Sequence, residues 1–299
     1  MQTNPPNRRP RFRRSLLSVP AINLRALEKS LSLPCDGMIF DLEDSVADGS
    51  KAEARDILRQ FLQHADLNGR EAIIRVNSSD TRWFAEDLAL VESIKPDAVL
   101  LPKAERVEDL DRLRTAAGAG PALWAMIETP KAVLTAAELA RAGAALGLEC
   151  LVVGLNDLRK ETRVPPGLGR QYLVPWLMQV VLAARAYGLE VIDAVSNDFR
   201  DLDGFAAECS QGRSMGFDGK MLIHPAQIEA ANLYFGPSEA DIAEARAIVA
   251  AFAAPEAANL NVINLDGRMI ERLHVAEAEH LLSKLFLLEP RPSSSIQKG

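Results

Sequence analysis

Apolar positions along this chain alternate between two patterns. Short continuous runs recur at Arg14–Pro20 (RSLLSVP), Gly37–Ser45 (GMIFDLEDS), Ala72–Asn77 (AIIRVN) and Ala98–Lys103 (AVLLPK). Four more follow at Leu123–Thr129 (LWAMIET), Cys150–Asp157 (CLVVGLND), Glu190–Val195 (EVIDAV) and Gly219–Pro225 (GKMLIHP). Runs of this length fit strands buried on both faces of a parallel sheet. Their starts lie 23 to 40 residues apart, which leaves room for a helix between each pair. The segments between them show helical periodicity. Lys51–His64 puts Ala54, Ile57, Leu58, Phe61 and Leu62 on one face. Val107–Ala117 has Leu110 and Leu113 at helical spacing, and Pro175–Tyr187 is Ala-rich and stopped by Gly188. Asp203–Met215 ends before Gly216. Eight strand–helix units predict a (β/α)8 TIM barrel over residues 14–235. A doubly wound sheet is the alternative, but eight is the number that closes a barrel.

The pattern changes after the barrel. Residues 236–290 predict a helical extension that serves as a lid. It holds a helix at Ala240–Phe252, two short extended pieces around Asp266-Gly267 within Val262–Ile270, and a last helix at Val275–Leu288. Residues 1–13 form a basic arm, and the polar residues 291–299 are expected to be a disordered tail.

Almost every run begins apolar and ends polar. The ends supply Asp41, Glu43 and Asp44, then Arg75 and Asn77, Lys103, Glu128, Asn156 and Asp157, Asp193 and His224. In a barrel these ends gather on the face where active sites lie. Strand ends are also simply exposed, which accounts for one or two such residues but less well for so many.

Composition narrows the function classes. The 299 residues carry 34 Lys and Arg against 41 Asp and Glu, a net charge of −7. That balance argues against nucleic acid as a partner. The one strongly basic stretch holds Arg8, Arg9, Arg11, Arg13 and Arg14, and the apolar residues after it are too few for a secretory signal. No run is long and apolar enough to span a membrane. Cys35, Cys150 and Cys209 are odd in number and widely spaced. They fit buried thiols in a reducing, cytoplasmic setting rather than disulfides or zinc ligands.

Glu128 and Asp157 close adjacent runs, so two hard oxygen ligands could face one point with open positions for water and substrate, which suits Mg²⁺. Glu43 and Asp44 could hold metal-bound waters from across the barrel. Each acid could instead pair with a nearby cation. Arg75 sits in a run too apolar for an unpaired charge. It could pair with Glu43 or Asp44, or hold a substrate carboxylate or a developing enolate oxygen. Arg14 carries the same ambiguity at the first strand. Lys103 raises a rival chemistry, a Schiff base with a carbonyl substrate, with Lys220 a weaker candidate. A lysine beside acids keeps its proton, however, and is then a poor nucleophile. His224 could be a base or a hydrogen-bonded residue behind the site.

Several motifs occur in order: Arg14–Pro20, Asp41-Leu42-Glu43-Asp44-Ser45-Val46, Arg75-Val76-Asn77, Leu101-Pro102-Lys103, Ile127-Glu128-Thr129, Gly154-Leu155-Asn156-Asp157-Leu158, Gly216-Phe217-Asp218-Gly219-Lys220 and Ile223-His224-Pro225. Together they resemble the citrate lyase β-subunit and malyl-CoA lyase family of Mg²⁺-dependent CoA-ester lyases, over roughly residues 13–285. The resemblance implies Glu128 and Asp157 as metal ligands, Arg75 facing substrate, and Arg14 near the CoA moiety. It implies a homotrimer or homohexamer. It also implies a C-terminal acid after Gly267-Arg268-Met269-Ile270 that reaches a neighbouring subunit's site; here that acid is Glu271, where many members have Asp.

The reaction so implied is retro-Claisen cleavage of a 3-hydroxyacyl-CoA such as malyl-, methylmalyl- or citramalyl-CoA. Arg75 would stabilise the enolate and Glu271 would protonate it. True citrate lyase subunits act on acyl-carrier-protein thioesters. The basic N-terminus would suit the phosphates of CoA, though it could equally be a solvated tail; CoA is the favoured carrier. Thioester hydrolysis is a rival outcome, and a non-catalytic CoA-ester-binding subunit is a rival class.

Overall fold

The computed structural model describes residues 11–166, 169–258 and 260–285. Arg8, Arg9 and the expected tail at 291–299 lie outside them. The chain divides into two compact units, Arg13–Phe235, and Met1–Phe12 with Gly236–Gly299.

Among the described residues of the first unit, eight parallel strands close a barrel in sequence order. They are β1 (Ser15–Pro20), β2 (Gly37–Asp41), β3 (Glu71–Arg75), β4 (Ala98–Leu101), β5 (Ala122–Ile127), β6 (Leu148–Val153), β7 (Glu190–Asp193) and β8 (Gly219–Leu222). Closure is made where Ser15 of β1 pairs with Lys220 of β8. The surrounding helices are α1 (Leu24–Ser30), α2 (Lys51–His64), α3 (Phe84–Ile94), α4 (Val107–Ala117), α5 (Pro130–Ala145), α6 (Leu155–Thr162), α7 (Val174–Ala186), α8 (Leu202–Met215) and α9 (Ile228–Phe235). The expected (β/α)8 fold is therefore present, and α2 and α4 keep their expected bounds.

The two-residue period of a strand explains why both faces are apolar. Leu16, Ile39, Ile73, Leu100, Trp124, Met126, Val152 and Ile192 point inward and fill the barrel. Their neighbours Leu17, Phe40, Ile74, Val99, Leu101, Leu151 and Val191 point outward under the helices. The three cysteines are free and buried. No described helix is long and apolar enough to cross a membrane.

The amino-terminal end of the barrel is floored by Arg13. Its guanidinium lies 4.8 Å from the centre of the buried Trp124 ring. It donates to both Glu71 oxygens at 2.7 Å and to Glu190 at 2.7 Å. Burial alone would lower its pKa; the Glu190 and Glu71 carboxylates outweigh that and raise it.

One boundary differs in a way that matters. The sixth run was expected to stay extended to Asp157, but β6 ends at Val153 and α6 begins at Leu155. Leu155 and Leu158, three apart, are both buried, so burial favours a helical turn there. Asp157 thus sits in the first turn of a helix, not on a strand.

The second unit contains α10 (Glu239–Ala253), β9 (Val262–Leu265), β10 (Arg268–Glu271) and α11 (Arg272–Lys284). Ala245, Ile248 and Phe252 of α10 meet Ile270 and Ala278 in a small core of its own. β9 and β10 form the expected antiparallel hairpin, with Asp266 at φ 53° and Gly267 at φ 81° in its turn. A two-residue turn of this kind needs left-handed backbone at both positions, which Asp-Gly supplies.

Candidate active site

The alternation that fills the barrel also aims the polar ends. Ile39, Ile73 and Met126 point inward. Two residues further along the same parity come Asp41, Arg75 and Glu128. Asp41 and Arg75 are register partners on neighbouring strands. The Arg75 guanidinium grips Asp41 with both prongs, Nε to Oδ1 at 2.7 Å and Nη2 to Oδ2 at 2.6 Å. Its remaining nitrogen lies 3.0 Å from Glu43 Oε2 and 3.9 Å from Asp44 Oδ2. Both pairings expected for Arg75 are therefore present, but Asp41 is the main partner. Burial would lower the Arg75 pKa; Asp41, then Glu43 and Glu128, raise it instead. Asp41 is held below the usual carboxylate range because Arg75 outweighs the effect of burial.

Lys103 links the other acids. Its backbone is left-handed at φ 51°, unusual for a residue with a side chain and a form of strain that collects at functional sites. That turn directs its N–H onto Glu128 Oε1 at 2.8 Å. Its ammonium lies 2.5 Å from Glu43 Oε1, 3.6 Å from Asp157 Oδ2 and 3.8 Å from Asp44 Oδ1. So the structure brings Glu43, Asp44, Arg75, Lys103, Glu128 and Asp157 into one cluster at the carboxyl-terminal mouth. Burial would lower the Lys103 pKa, but the hydrogen bond and charge of Glu43 raise it, with Glu128 and Asp44 adding to the effect. An ammonium that holds its proton this firmly is not a Schiff-base nucleophile. Lys220 is fully buried against Asp193, Glu208 and the Ala194 carbonyl, which removes it as well.

Glu128 is the most perturbed acid of the cluster. Burial, and then the Glu43 charge, push it up to about 8. Its helix-side neighbour Thr129 caps α5, accepting from Ala132 N–H at 3.1 Å, so the start of the helix fixes the residue. Gly154 makes room for its carboxylate: a Cβ there would lie 2.5 Å from Glu128 Oε2 and 2.6 Å from its Cβ. Glu43 is raised too, by burial first and by Asp44, while Arg75 and Lys103 pull it down. Its Oε2 is buried and ion-paired with Arg75 at 3.0 Å, but the geometry makes no hydrogen bond.

These features fit a divalent cation. The donors are hard oxygens, Glu128 is held up by burial beside the Glu43 charge, and Glu43 Oε2 meets Arg75 only as an ion pair, without a hydrogen bond. Among the described residues no three His, Cys, Asp or Glu converge as a ready-made cage. Glu128 and Asp157 would be its protein ligands, leaving positions for water and substrate.

Other expected residues lie elsewhere. Arg14 precedes β1, at the amino-terminal end of the barrel, and forks onto Asp36 at 2.7 and 2.8 Å. A strand start and a strand end are on opposite faces, so Arg14 is not brought to the mouth. Asp193 has the outward parity and pairs with the buried Arg170 under α8. His224 accepts from Ala226 N–H and stacks on Phe199 at 4.4 Å. Glu271 belongs to the second unit, at the N-cap position of α11, where its N–H donates to His274 Nδ1 at 2.9 Å. Sequence reasoning missed the supporting roles of Asp41, Gly154 and Lys51. Lys51 donates to the Leu42 and Glu43 carbonyls at 2.8 and 2.7 Å and holds the Glu43 loop from behind. Parity with Ile39 could have found Asp41; nothing local marks Lys51.

Comparison with known proteins gives this cluster a context. The chain is 45% identical over 271 residues to a protein of Cereibacter sphaeroides (strain KD131 / KCTC 12085) named (3S)-malyl-CoA thioesterase, covering 91% of this chain and 94% of that one. It is 36% identical over 292 residues to Citrate lyase subunit beta of Escherichia coli (strain K12), covering 93% and 94%. A crystal structure of the protein CitE from Mycobacterium tuberculosis in complex with magnesium, acetoacetate and coenzyme A superposes with a TM-score of 0.73 at 28% identity, covering 90% of this chain and 96% of that one. Residues 14–225 match the HpcH/HpaI aldolase/citrate lyase family, and that span is the barrel and its mouth. With the mouth cluster built on that span and relatives matching along nine-tenths of its length, the chain belongs to the HpcH/HpaI aldolase/citrate lyase family.

Proposed function

We propose that this chain is a Mg²⁺-dependent CoA-ester lyase that cleaves a 3-hydroxy-dicarboxylic acyl-CoA, of the malyl-, methylmalyl- or citramalyl-CoA type, into an acyl-CoA and a 2-oxo acid. The observation that carries this reading is one mouth where Arg75 lies near Glu43 and Glu128 while Lys103 reaches Glu43 and Asp157. A CitE structure that holds magnesium, acetoacetate and coenzyme A supports it.

When bound by Glu128 and Asp157, a divalent cation would supply a Lewis acid for the substrate's hydroxyl oxygen. The chain's own residues do the rest. Asp41 and Glu43 fix the Arg75 guanidinium, leaving it pre-oriented and charged throughout the pH range of the reaction. The hydroxyl gives its proton to water, its oxygen forms the carbonyl of the 2-oxo acid, the bond from its carbon to the thioester's α-carbon breaks, and that electron pair passes into the thioester enolate. Arg75 is the group that stabilises that negative charge. Glu271 of a neighbouring copy of the chain, as the family resemblance implies, would return a proton to the α-carbon.

A second reading keeps the substrate and changes the outcome. The 45% identity to a protein named (3S)-malyl-CoA thioesterase favours hydrolysis to malate and CoA. One assay separates the two. Purified protein is incubated with malyl-, methylmalyl- and citramalyl-CoA, and products are identified by mass spectrometry. Glyoxylate or pyruvate rising in step with a shorter acyl-CoA supports the lyase. Free CoA and hydroxy acid in equal amounts, without oxo acid, replaces it with the thioesterase. Full activity in EDTA, or in Asp157→Ala, refutes the metal-dependent mechanism.

A further inference from the structure

Lys103 has two independent jobs in this mouth. Its backbone is pinned by a left-handed turn and by the N–H bond to Glu128. Its ammonium lies among three other carboxylates, 2.5 Å from Glu43, 3.6 Å from Asp157 and 3.8 Å from Asp44. That places a positive charge against one expected ligand of the divalent cation, while the same residue's N–H orients the other. The side chain is one-third exposed, so it borders solvent and can swing out on its four-carbon stem while the pinned backbone stays.

We propose that Lys103 is a built-in competitor for the divalent cation. Its ammonium bridges Glu43 and Asp157 until a metal takes its place, and so it sets the affinity of the site. This inference rests on Glu128 and Asp157 being the metal ligands. The competition is electrostatic: an ammonium and a divalent cation cannot both stay within contact distance of Asp157 without strong repulsion. Lys103 would thus keep the acid cluster neutralised and folded while no metal is bound. It would also hold metal binding weak enough to depend on an anionic substrate arriving with it.

Calorimetric titration of the full chain with Mg²⁺, repeated with Mn²⁺ followed by electron paramagnetic resonance, tests this without reference to turnover. Lys103→Met keeps the length and removes the charge; Lys103→Arg keeps the charge. The methionine variant is expected to bind both ions about tenfold more tightly or better, and the arginine variant to stay within about threefold of the parent. Circular dichroism checks that each variant is folded; if Lys103→Met is not, Lys103→Gln, which also removes the charge, takes its place. Unchanged or weaker binding by the neutral variant overturns the proposal and makes Lys103 a supporting residue of the metal site. Failure of the parent and both variants to bind either ion at millimolar concentration overturns the metal-site reading itself, and the proposal with it.

Discussion

Metal binding to this protein should release a proton, and the proton should come from Glu128. Burial and the neighbouring Glu43 raise that carboxyl from 4.5 to about 8 in the metal-free chain. A cation needs the ionised form, so below about pH 8 it must displace the proton first. The cost follows from the pKa alone. At about pH 7 it is roughly tenfold in apparent affinity, or ~1.4 kcal/mol; at about pH 6 it is roughly a hundredfold, or ~2.7 kcal/mol. Calorimetry with Mg²⁺ across this range should give a slope of about one decade per pH unit that flattens near pH 8. Repeating it in two buffers of different ionisation enthalpy should show close to one proton released per ion at the acidic end. Glu128→Gln should bind weakly and lose the slope. The stability of the metal-free chain carries the opposite sign. The folded pKa lies above the unfolded value, so this contribution is full below about pH 4.5 and is lost as pH rises through about 8. Added Mg²⁺ should therefore raise the melting temperature more at about pH 8 than at about pH 6. A flat affinity profile with no proton release would refute the reasoning that burial governs this carboxylate.

Gly154→Ala should push the Glu128 carboxylate aside, because the new methyl would lie 2.5 Å from its oxygen. A fold preserved by circular dichroism, with stability down by about 1–3 kcal/mol and Mg²⁺ affinity down at least about tenfold, is the expected result. Arg75→Lys cannot fork onto Asp41 and should lower kcat by about a hundredfold or more while Mg²⁺ affinity changes only a few-fold, which steady-state kinetics and calorimetry would separate. Asp193→Ala leaves the buried Arg170 and Lys220 cations without their shared carboxylate and should lower the urea unfolding free energy by about 3–5 kcal/mol.

The barrel was legible because its signal, a short continuous apolar run followed by a helical segment, is repeated eight times. α2 and α4 were read to the residue because apolar positions at helical spacing face one barrel wall. The site was legible in the residues whose position depends on chain direction, since a strand's last inward residue must face the mouth. Asp157 was placed on the right face but in the wrong element, because Leu155 and Leu158 signal a helix only once both are known to be buried. Arg14, implied near the CoA moiety by the family resemblance, lies at the start of β1 and pairs with Asp36, a position set by the direction of that strand. Parity with Ile39 marks Asp41 as inward, but its pairing with Arg75, 34 residues away, and the Lys51 contacts 8 to 9 residues away are encoded by no local pattern. Asp193 shows the same limit: a strand-end acid can turn outward, and only parity with Ile192 tells which.

The Arg13 floor bears on how the protein can be trimmed or tagged. One residue that precedes the first strand joins carboxylates from β3 and β7, with Glu149 of β6 at 3.4 Å. An expression clone that starts at Arg14, where the strand pattern itself begins, would delete the guanidinium these acids share and leave their mutual repulsion inside the barrel's closed end. Deletions should therefore stop short of residue 13. A chain shortened past it is expected to fail at the bench as insoluble protein, long before any question of catalysis arises.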